Sequence, residues 1–342
     1  MTLGNTTPAI SIVIPTMGRP ILVRTLTSVL AMQNSNRLEI IIVGEISSPS
    51  VLSEVTAIVA NNSNVRHISI AYKTGDSSRK KNRGASESLA EIIAFLDDDV
   101  TVAPDWAEHI LAAFTDLHVG LVSGPSLVPE DIGLAARLAG LALTSRAAGY
   151  AAERYKTGDT GTREIIWSRI IGCNAAYRKR AFQEMGGFPP EFYPGEEMIA
   201  SWRTQLLGYK LLFIPAAWVY HYPRQSVKRF CRQMWGYGAT RIRLIRAGTG
   251  IEWATLIPAA WVLSLLFLGA LAPFFNSAAI LLAANILLYG IAAAFIGLET
   301  VVHTRRPRDL LVLFMVPVMH ISYGLAEWFE FFRPNCDLSE NK

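Results

Sequence analysis

Charge is scarce in this chain. Only 18% of its 342 residues are Asp, Glu, Lys or Arg, against 51% hydrophobic. Mean hydropathy is +0.28. These values exclude an extended, highly solvated polypeptide and direct attention to membrane-spanning segments. Cysteine is scarce too: Cys173, Cys231 and Cys336 lie far apart, with no CxxC pair. That excludes a zinc knuckle and a disulfide framework, and suits a reducing compartment. The first nine residues lack both a basic patch and an apolar run. No signal peptide is expected there, and the N-terminal part is expected to stay in the cytoplasm. Acid is missing from Met198 to Ile251, while seven basic residues fall between Arg224 and Arg246. A nucleic-acid surface is one reading of such a block. The apolar sequence beside it favours membrane lipids with anionic headgroups, and no nucleic-acid partner is expected.

Between Glu252 and Glu299 there is no charge of either sign. As helix that stretch is about twice the thickness of a hydrocarbon core, and Pro273, Asn276 and Ser277 break it midway. Two spanning helices are expected, roughly 254–275 and 278–298. A third apolar run, about 310–330, carries Pro317 and His320 and either spans or re-enters. Arg305, Arg306 and Arg308 and the basic block before the first span place both flanks in the cytoplasm. Trp328, Phe329, Phe331 and Phe332 are expected as an interfacial belt. Three helices without buried charge argue against a transporter. Before the spans, Val227, Phe230, Met234 and Tyr237 recur at helical spacing among Lys228, Arg229, Arg232, Arg241 and Arg243. Such a helix either lies in the headgroup plane or packs its stripe on the preceding domain. The span that follows favours the headgroup plane.

The first half alternates apolar runs with helical stretches. Strands are expected at 10–14, 39–43, 65–72, 92–96 and 120–123, and helices at 19–32, 51–60, 78–89 and 104–114. Continuous apolar strands alternating with helices imply an α/β fold, a mostly parallel sheet covered on both faces. Ligands of such sheets sit beyond the carboxyl ends of the strands. Asp97-Asp98-Asp99 occupies one of those ends. Three adjacent carboxylates repel one another unless a cation neutralises them. A divalent ion bridging to a diphosphate would do so, while the plainer alternative is a solvated turn before the next helix. Arg79-Lys80-Lys81 just upstream offers cations for diphosphate oxygens, or a solvated helix face. Glu196-Glu197 opens a helix, where the dipole alone favours acids; a general base is the functional alternative. His221 ends a strand-like run, as a metal ligand or as a partly buried histidine. A helix at 135–148, another at 198–207 and a short strand at 211–214 complete the middle section.

Taken in order, these segments resemble family 2 glycosyltransferases of the GT-A fold. The resemblance runs from Ile10 to about Arg246, with seven motifs in order. Ile12-Val13-Ile14-Pro15-Thr16 looks like the first strand and nucleotide loop, and Lys81-Asn82-Arg83-Gly84 like the Arg-Asn-x-Gly segment with Lys for Arg. Ala94 to Asp99 is similar to the DXD stretch, and Gly172 to Arg178 to the acceptor-side strand. Gly186-Gly187-Phe188 matches Gly-Gly-Phe. Gly195-Glu196-Glu197 through Trp202-Arg203 and Gly208-Tyr209 resembles the catalytic-base block, and His221-Tyr222-Pro223 the His-x-Pro that follows it. The spanning segments make the chain look closest to bacterial exopolysaccharide enzymes of the succinoglycan type.

The resemblance implies a GT-A catalytic domain at 1–222, an amphipathic interfacial region at 223–250, a transmembrane anchor at 251–332 and a tail at 333–342. It implies Mn²⁺ or Mg²⁺ held by Asp97, Asp99 and His221. A nucleotide-sugar donor, a UDP-sugar, would meet Pro15, Thr16, Arg19, Glu45, Lys81, Asp97 and Asp98. Glu197 would be the base, with Glu196 and Arg203 beside it, acting on a lipid-linked or glycan acceptor with inversion. Location would be the cytoplasmic membrane, multi-pass, with the catalytic domain in the cytoplasm. Two departures stand out. Gly44-Glu45-Ile46-Ser47 replaces the usual Asp-Asp-Gly-Ser, and Glu197 stands where Asp is usual. Those departures leave room for a degenerate membrane scaffold. A nucleotidyltransferase is the other alternative, but Thr16-Met17-Gly18-Arg19 is only a faint version of its phosphate loop.

Overall fold

The computed structural model describes residues 7–72, 76–156, 161–223 and 225–333. Arg224, Cys336 and all of the tail but Arg333 lie outside them. The chain divides into two compact units, one of residues 1–127 and 153–222, the other of residues 128–152 and 223–342.

In chain order the elements are β1 (Ile10–Pro15), α1 (Ile21–Leu30), β2 (Leu38–Val43), α2 (Pro49–Asn61), β3 (Val65–Ile68), α3 (Asp76–Glu87) and β4 (Ile92–Leu96). Next come β5 (Val100–Val102), α4 (Trp106–Ala113), β6 (Val119–Ser123), β7 (Ser126–Leu127), α5 (Leu134–Thr144), β8 (Arg163–Ile165) and β9 (Asn174–Arg178). The remainder are α6 (Lys179–Glu184), α7 (Glu196–Leu206), β10 (Lys210–Phe213), β11 (Val219–His221), α8 (Val227–Arg246), α9 (Ile257–Leu271), α10 (Asn276–Thr304) and α11 (Val312–Phe332).

The first unit holds a sheet of order β3-β2-β1-β4-β9-β6-β10-β8 and a small sheet β5-β11-β7. β1 pairs in parallel with both β2 and β4, and its residues Ile10, Ile12 and Ile14 are fully buried. Both faces of these strands are covered, which is why their sequences are almost wholly apolar, with Ser11 and Glu39 the polar exceptions. The sheet is mixed rather than uniformly parallel. β9 runs antiparallel between β4 and β6, and β8 runs antiparallel on β10. The strand expected at 65–72 ends at Ile68.

Two local features bring polar groups to the carboxyl end of this sheet. Gly84 lets α3 approach β1 closely: a Cβ there would sit 2.3 Å from a Val13 methyl. The close approach lowers Lys80 and Lys81 onto the strand ends. The β5–β11 ladder sets His221 opposite Val100, and the Tyr222 N–H donates to the Asp99 carbonyl at 3.0 Å.

In the second unit, α5 joins α8 and α11. Leu138, Ala139 and Ala142 pack with Phe230, Met234, Val312, Met315 and Met319. Three helical stretches are long and apolar enough to cross a membrane: Trp253–Leu271, Asn276–Thr304 and Pro307–Phe332. The expectation of no buried charge here is corrected. Asp309 and Glu327 are each 1% exposed, and Glu330 is buried as well. Glu327 and Glu330 fall at the far end of the expected third run and Asp309 one residue before it, and helix packing buries all three. Asp309 is held by the Arg137 fork, at 2.8 and 2.6 Å.

Candidate active site

Two clusters of ionisable groups form at the carboxyl end of the larger sheet. In the first, Asp98 and Asp99 are each only 3% exposed, so the acidic run is not a solvated turn. Thr16 Oγ1 donates to Asp98 Oδ2 at 2.7 Å, and the Met17 N–H donates to the same oxygen at 3.2 Å. The Arg19 guanidinium bridges the run. It pairs with Asp98 and reaches Asp99 Oδ2 at 2.8 Å. His221 Nε2 lies 3.1 Å from Asp99 Oδ1. Ligand atoms of Asp97, Asp99 and His221 all fall within 4.8 Å of one another. Two carboxylates and an imidazole make a donor set that suits a divalent transition ion. Burial and the neighbouring Asp99 raise the Asp97 pKa against the pull of Lys81, a strain that a bound cation would relieve. Burial works against a charged His221 ring, but Cys173 and Asp99 outweigh it and hold its pKa well above the usual value.

The second cluster centres on Lys81, a fully buried side chain 1% exposed. Its ammonium pairs with Glu197, lies 3.6 Å from Glu196 and sits over the Phe188 ring at 5.2 Å. One cation cannot neutralise two carboxylates, of which Glu196 is buried and Glu197 partly buried. Burial and the charge of Glu197 push the Glu196 carboxyl up to about 8, so Glu196 is the protonated partner near neutrality. For Glu197 burial is outweighed by Lys81, and its pKa falls below the usual range. Lys81, opposed by burial, is held far above the ordinary lysine value by Glu197 and Glu196. Asp97 interacts electrostatically with Lys81 and Glu197 on one side and with Asp99 and His221 on the other. It joins the two clusters.

Neighbouring motifs supply the scaffold. Asn82 clamps the Gly-Gly-Phe loop: its Nδ2 donates to the Phe188 carbonyl at 2.7 Å and its Oδ1 accepts from the Phe188 N–H at 2.9 Å. Phe188 packs edge-on with Phe95, Tyr177 and Phe182. Asn174 is fully buried. It accepts from Trp106 Nε1 at 2.9 Å and donates to the Ala217 carbonyl at 2.8 Å, bracing the approach to β11.

Of the residues singled out from sequence, Thr16, Arg19, Lys81, Asp97, Asp98, Asp99, Glu196, Glu197 and His221 are brought together. Pro15 ends β1 beside Thr16. Glu45 is exposed just past β2, and among the described residues no hydrogen bond ties it to the clusters. Arg203 lies six residues beyond Glu197 on α7, about 240° around the helix. No ion pair joins those two among the described residues. Sequence reasoning missed Gly172 as a contact. A Cβ at Gly172 would fall 2.6 Å from Glu197 Cδ and 2.7 Å from Oε1. The glycine opening the strand motif was the available signal. Cys173, hydrogen-bonded to His221, was missed as well.

The sequence model of the family described as "Glycosyl transferase family 2" matches residues 11–186. The chain is 27% identical over 168 residues to the pre-mycofactocin glycosyltransferase of Mycobacterium tuberculosis, covering 47% of this chain and 33% of that one. It is 29% identical over 153 residues to the O-antigen chain rhamnosyltransferase WbaN of Salmonella anatum, covering 43% and 47%. The match thus spans between a third and about half the length of these relatives. A mannosyltransferase from Pyrobaculum calidifontis, solved in complex with GDP-Man and Mn²⁺, shares the fold with a TM-score of 0.62 at 18% identity, over 92% of this chain and 88% of that one. A family match across half the chain, over the segment that carries Thr16, Arg19, Lys81 and Asp97 to Asp99, places it: the chain belongs to glycosyl transferase family 2.

Proposed function

We propose that this protein transfers a sugar, with inversion, from a nucleotide-sugar donor to a lipid-linked or glycan acceptor at the cytoplasmic face of a membrane. The observation that carries the reading is the junction at Asp97. It couples a cation-ready set, Asp97–Asp99–His221, to a buried carboxylate–lysine set, Lys81–Glu196–Glu197. Donor diphosphate charge and acceptor proton transfer need these two chemistries side by side. The imidazole in the donor set favours Mn²⁺ over Mg²⁺, which prefers an all-oxygen shell. When bound, the ion supplies positive charge against the leaving diphosphate. Lys81 adds a second positive charge, and as a diphosphate draws it off, Glu197 becomes the stronger base. Glu197 takes the proton of the attacking acceptor hydroxyl, and Glu196, protonated near neutrality, stays beside it as a donor. Thr16 holds Asp98 at the end of β1. Exposed Glu45, past β2, faces the donor base, and acceptance of a uracil N–H there is the reason for naming a UDP-sugar. Support for the membrane setting comes from the apolar helices.

The test is transfer from radiolabelled nucleotide-sugars by the full chain in membranes, with Mn²⁺ or with chelator. Asp99→Ala is expected to abolish metal-dependent transfer, and Glu197→Gln to lower kcat by at least 10²-fold. Full activity of Asp99→Ala in chelator would overturn the metal assignment. Wild-type rates in Glu197→Gln would overturn the base. Retention of anomeric configuration in the product would overturn the single displacement.

A further inference from the structure

Helices α8 and α11 lie side by side along their whole lengths and point the same way. Near their starts, Phe230 and Met234 of α8 pack on Val312, Met315 and Met319 of α11. Midway, Gly238 meets α11 backbone so closely that a Cβ would sit 2.2 Å from the Tyr323 carbonyl oxygen. At the far end, Arg246 Nη2 donates to the Phe331 and Arg333 carbonyls at 2.9 and 3.1 Å. The two helices therefore share one depth in whatever medium surrounds them.

Their surfaces differ. α8 has no acid and carries Lys228, Arg229, Arg232, Arg241, Arg243 and Arg246 from one end to the other. Lys228, Arg229 and Arg232 are exposed, on the side away from the Phe230–Met234 stripe. Phe314, Phe329 and Phe332 of α11 are exposed by 62%, 58% and 74%. Within its most apolar window α11 is 39% buried by protein, against 17% for the α9 stretch and 6% for α10. α10 thus keeps only one stripe against protein, through Ala278, Asn285, Tyr289, Ala293 and Gly297, while α11 turns more of its surface to protein.

We propose that α8 and α11 lie together in the plane of the membrane surface, the α8 cations on phospholipid headgroup phosphates and the exposed α11 phenylalanines in the acyl boundary. The chain then crosses the bilayer twice, through α9 and α10, and the third apolar helix does not cross. A crossing α11 would drag α8 with it. That would press the exposed Lys228, Arg229 and Arg232 into the bilayer, where cations are strongly disfavoured, and would carry the end of α11 away from the start of α9, whose Ala259 carbonyl accepts from Trp328 Nε1 at 2.9 Å. In the surface plane the same charges meet phosphates, and the apolar side of the pair is covered as in other interfacial helices. Asp309, at the start of α11, is fastened by Arg137, and Glu330, near its end, lies by Arg246. Each end of α11 is therefore charged.

This inference rests on the membrane anchor proposed above, and the experiment separates the two. Full-length protein with Cys173→Ser and Cys231→Ser keeps Cys336 as its one thiol. Two companions carry Cys336→Ser with either Ser277→Cys, in the α9–α10 turn, or Arg308→Cys, between α10 and α11. Labelling with an impermeant maleimide from each side of oriented vesicles is expected to put Cys336 with Arg308→Cys, and Ser277→Cys on the opposite side. Cys336 on the side of Ser277→Cys would overturn the inference while leaving the anchor intact. Ser277→Cys on the side of Arg308→Cys would overturn the anchor and the inference with it. Spin labels at Phe314, Ile321 and Phe329 give an independent reading of depth. Three similar depths are expected. A maximum at Ile321 well above both Phe314 and Phe329 would overturn the surface placement, even if a variant had altered the topology.

Discussion

Lys81→Met removes the cation from the most enclosed charge cluster of the protein while keeping much of its apolar volume. The side chain is 1% exposed and pairs with Glu197, so deletion leaves a carboxylate buried without its partner. Breaking a buried pair in this way costs about 3–5 kcal/mol. For a unit of roughly 200 residues that is a fall in Tm of about 6–20 °C. Glu197 would then gain a folded-state pKa above its unfolded value. The loss is therefore full above that raised value and fades as pH drops to the unfolded carboxylate range near ~4.5. The assay is thermal unfolding of the full chain in detergent, with limited proteolysis to assign the transition to the N-terminal unit. Lys81→Met/Glu197→Gln removes the stranded anion and is expected to recover at least half of the loss, a coupling well above ~1 kcal/mol. A single variant within about 1 kcal/mol of the parent, or a double variant no better than the single, would refute the reasoning.

Gly172→Ala is expected to lower kcat by about 10²-fold, through a shift of the Glu197 carboxylate, with Tm within a few degrees of the parent. Glu196→Gln tests the carboxyl pushed up to about 8. The folded state holds that proton where the unfolded chain has lost it, so the parent loses stability as pH rises from near the unfolded value to about 8. The variant is expected to gain on the order of 2–4 kcal/mol over the parent between pH 5 and pH 8, read by denaturant melts at the two ends. Arg137→Met strands Asp309, 1% exposed, and is expected to cost about 3–5 kcal/mol in the C-terminal unit. Adding Asp309→Asn is expected to restore most of it, as measured by thermal unfolding in detergent.

The strands buried on both faces were legible because their sequences are apolar runs broken only by Ser11 and Glu39: Ile10 to Ile14, Glu39 to Val43 and Ile92 to Leu96 each lie within an observed strand. Short strands were not. Val100–Val102 and Ser126–Leu127 are too brief for alternation to register, although the first of them brings His221 to Asp99. The antiparallel β9 interrupts the parallel order because its partners are chosen by tertiary packing, which no local period reports. At the site, the acidic run and its basic companion were visible as residue types. Their division was not: Arg19, read as a donor contact, pairs with Asp98 and Asp99, and Lys81 pairs with Glu197 across 116 positions of chain. The segment Leu134–Thr144 reads as an ordinary apolar helix, and nothing in its pattern says that it packs with the C-terminal helices.

The two arms of the α9–α10 hairpin are unequal. One apolar stretch, Trp253–Leu271, has 19 residues and the other, Asn276–Thr304, has 29. At ~1.5 Å per residue they measure about 28 Å and about 43 Å, against a hydrocarbon slab of about 30 Å. If both arms cross, as proposed above, the long arm absorbs its surplus by leaning or by lifting its last two turns, with Glu299 and His303, into the headgroups. The short arm has no such freedom. A thicker bilayer would strand its ends in oil, and the lipid around it would have to thin. In the proposed hairpin hydrophobic mismatch would therefore be felt first at α9, and the shorter helix would set which membranes this protein tolerates.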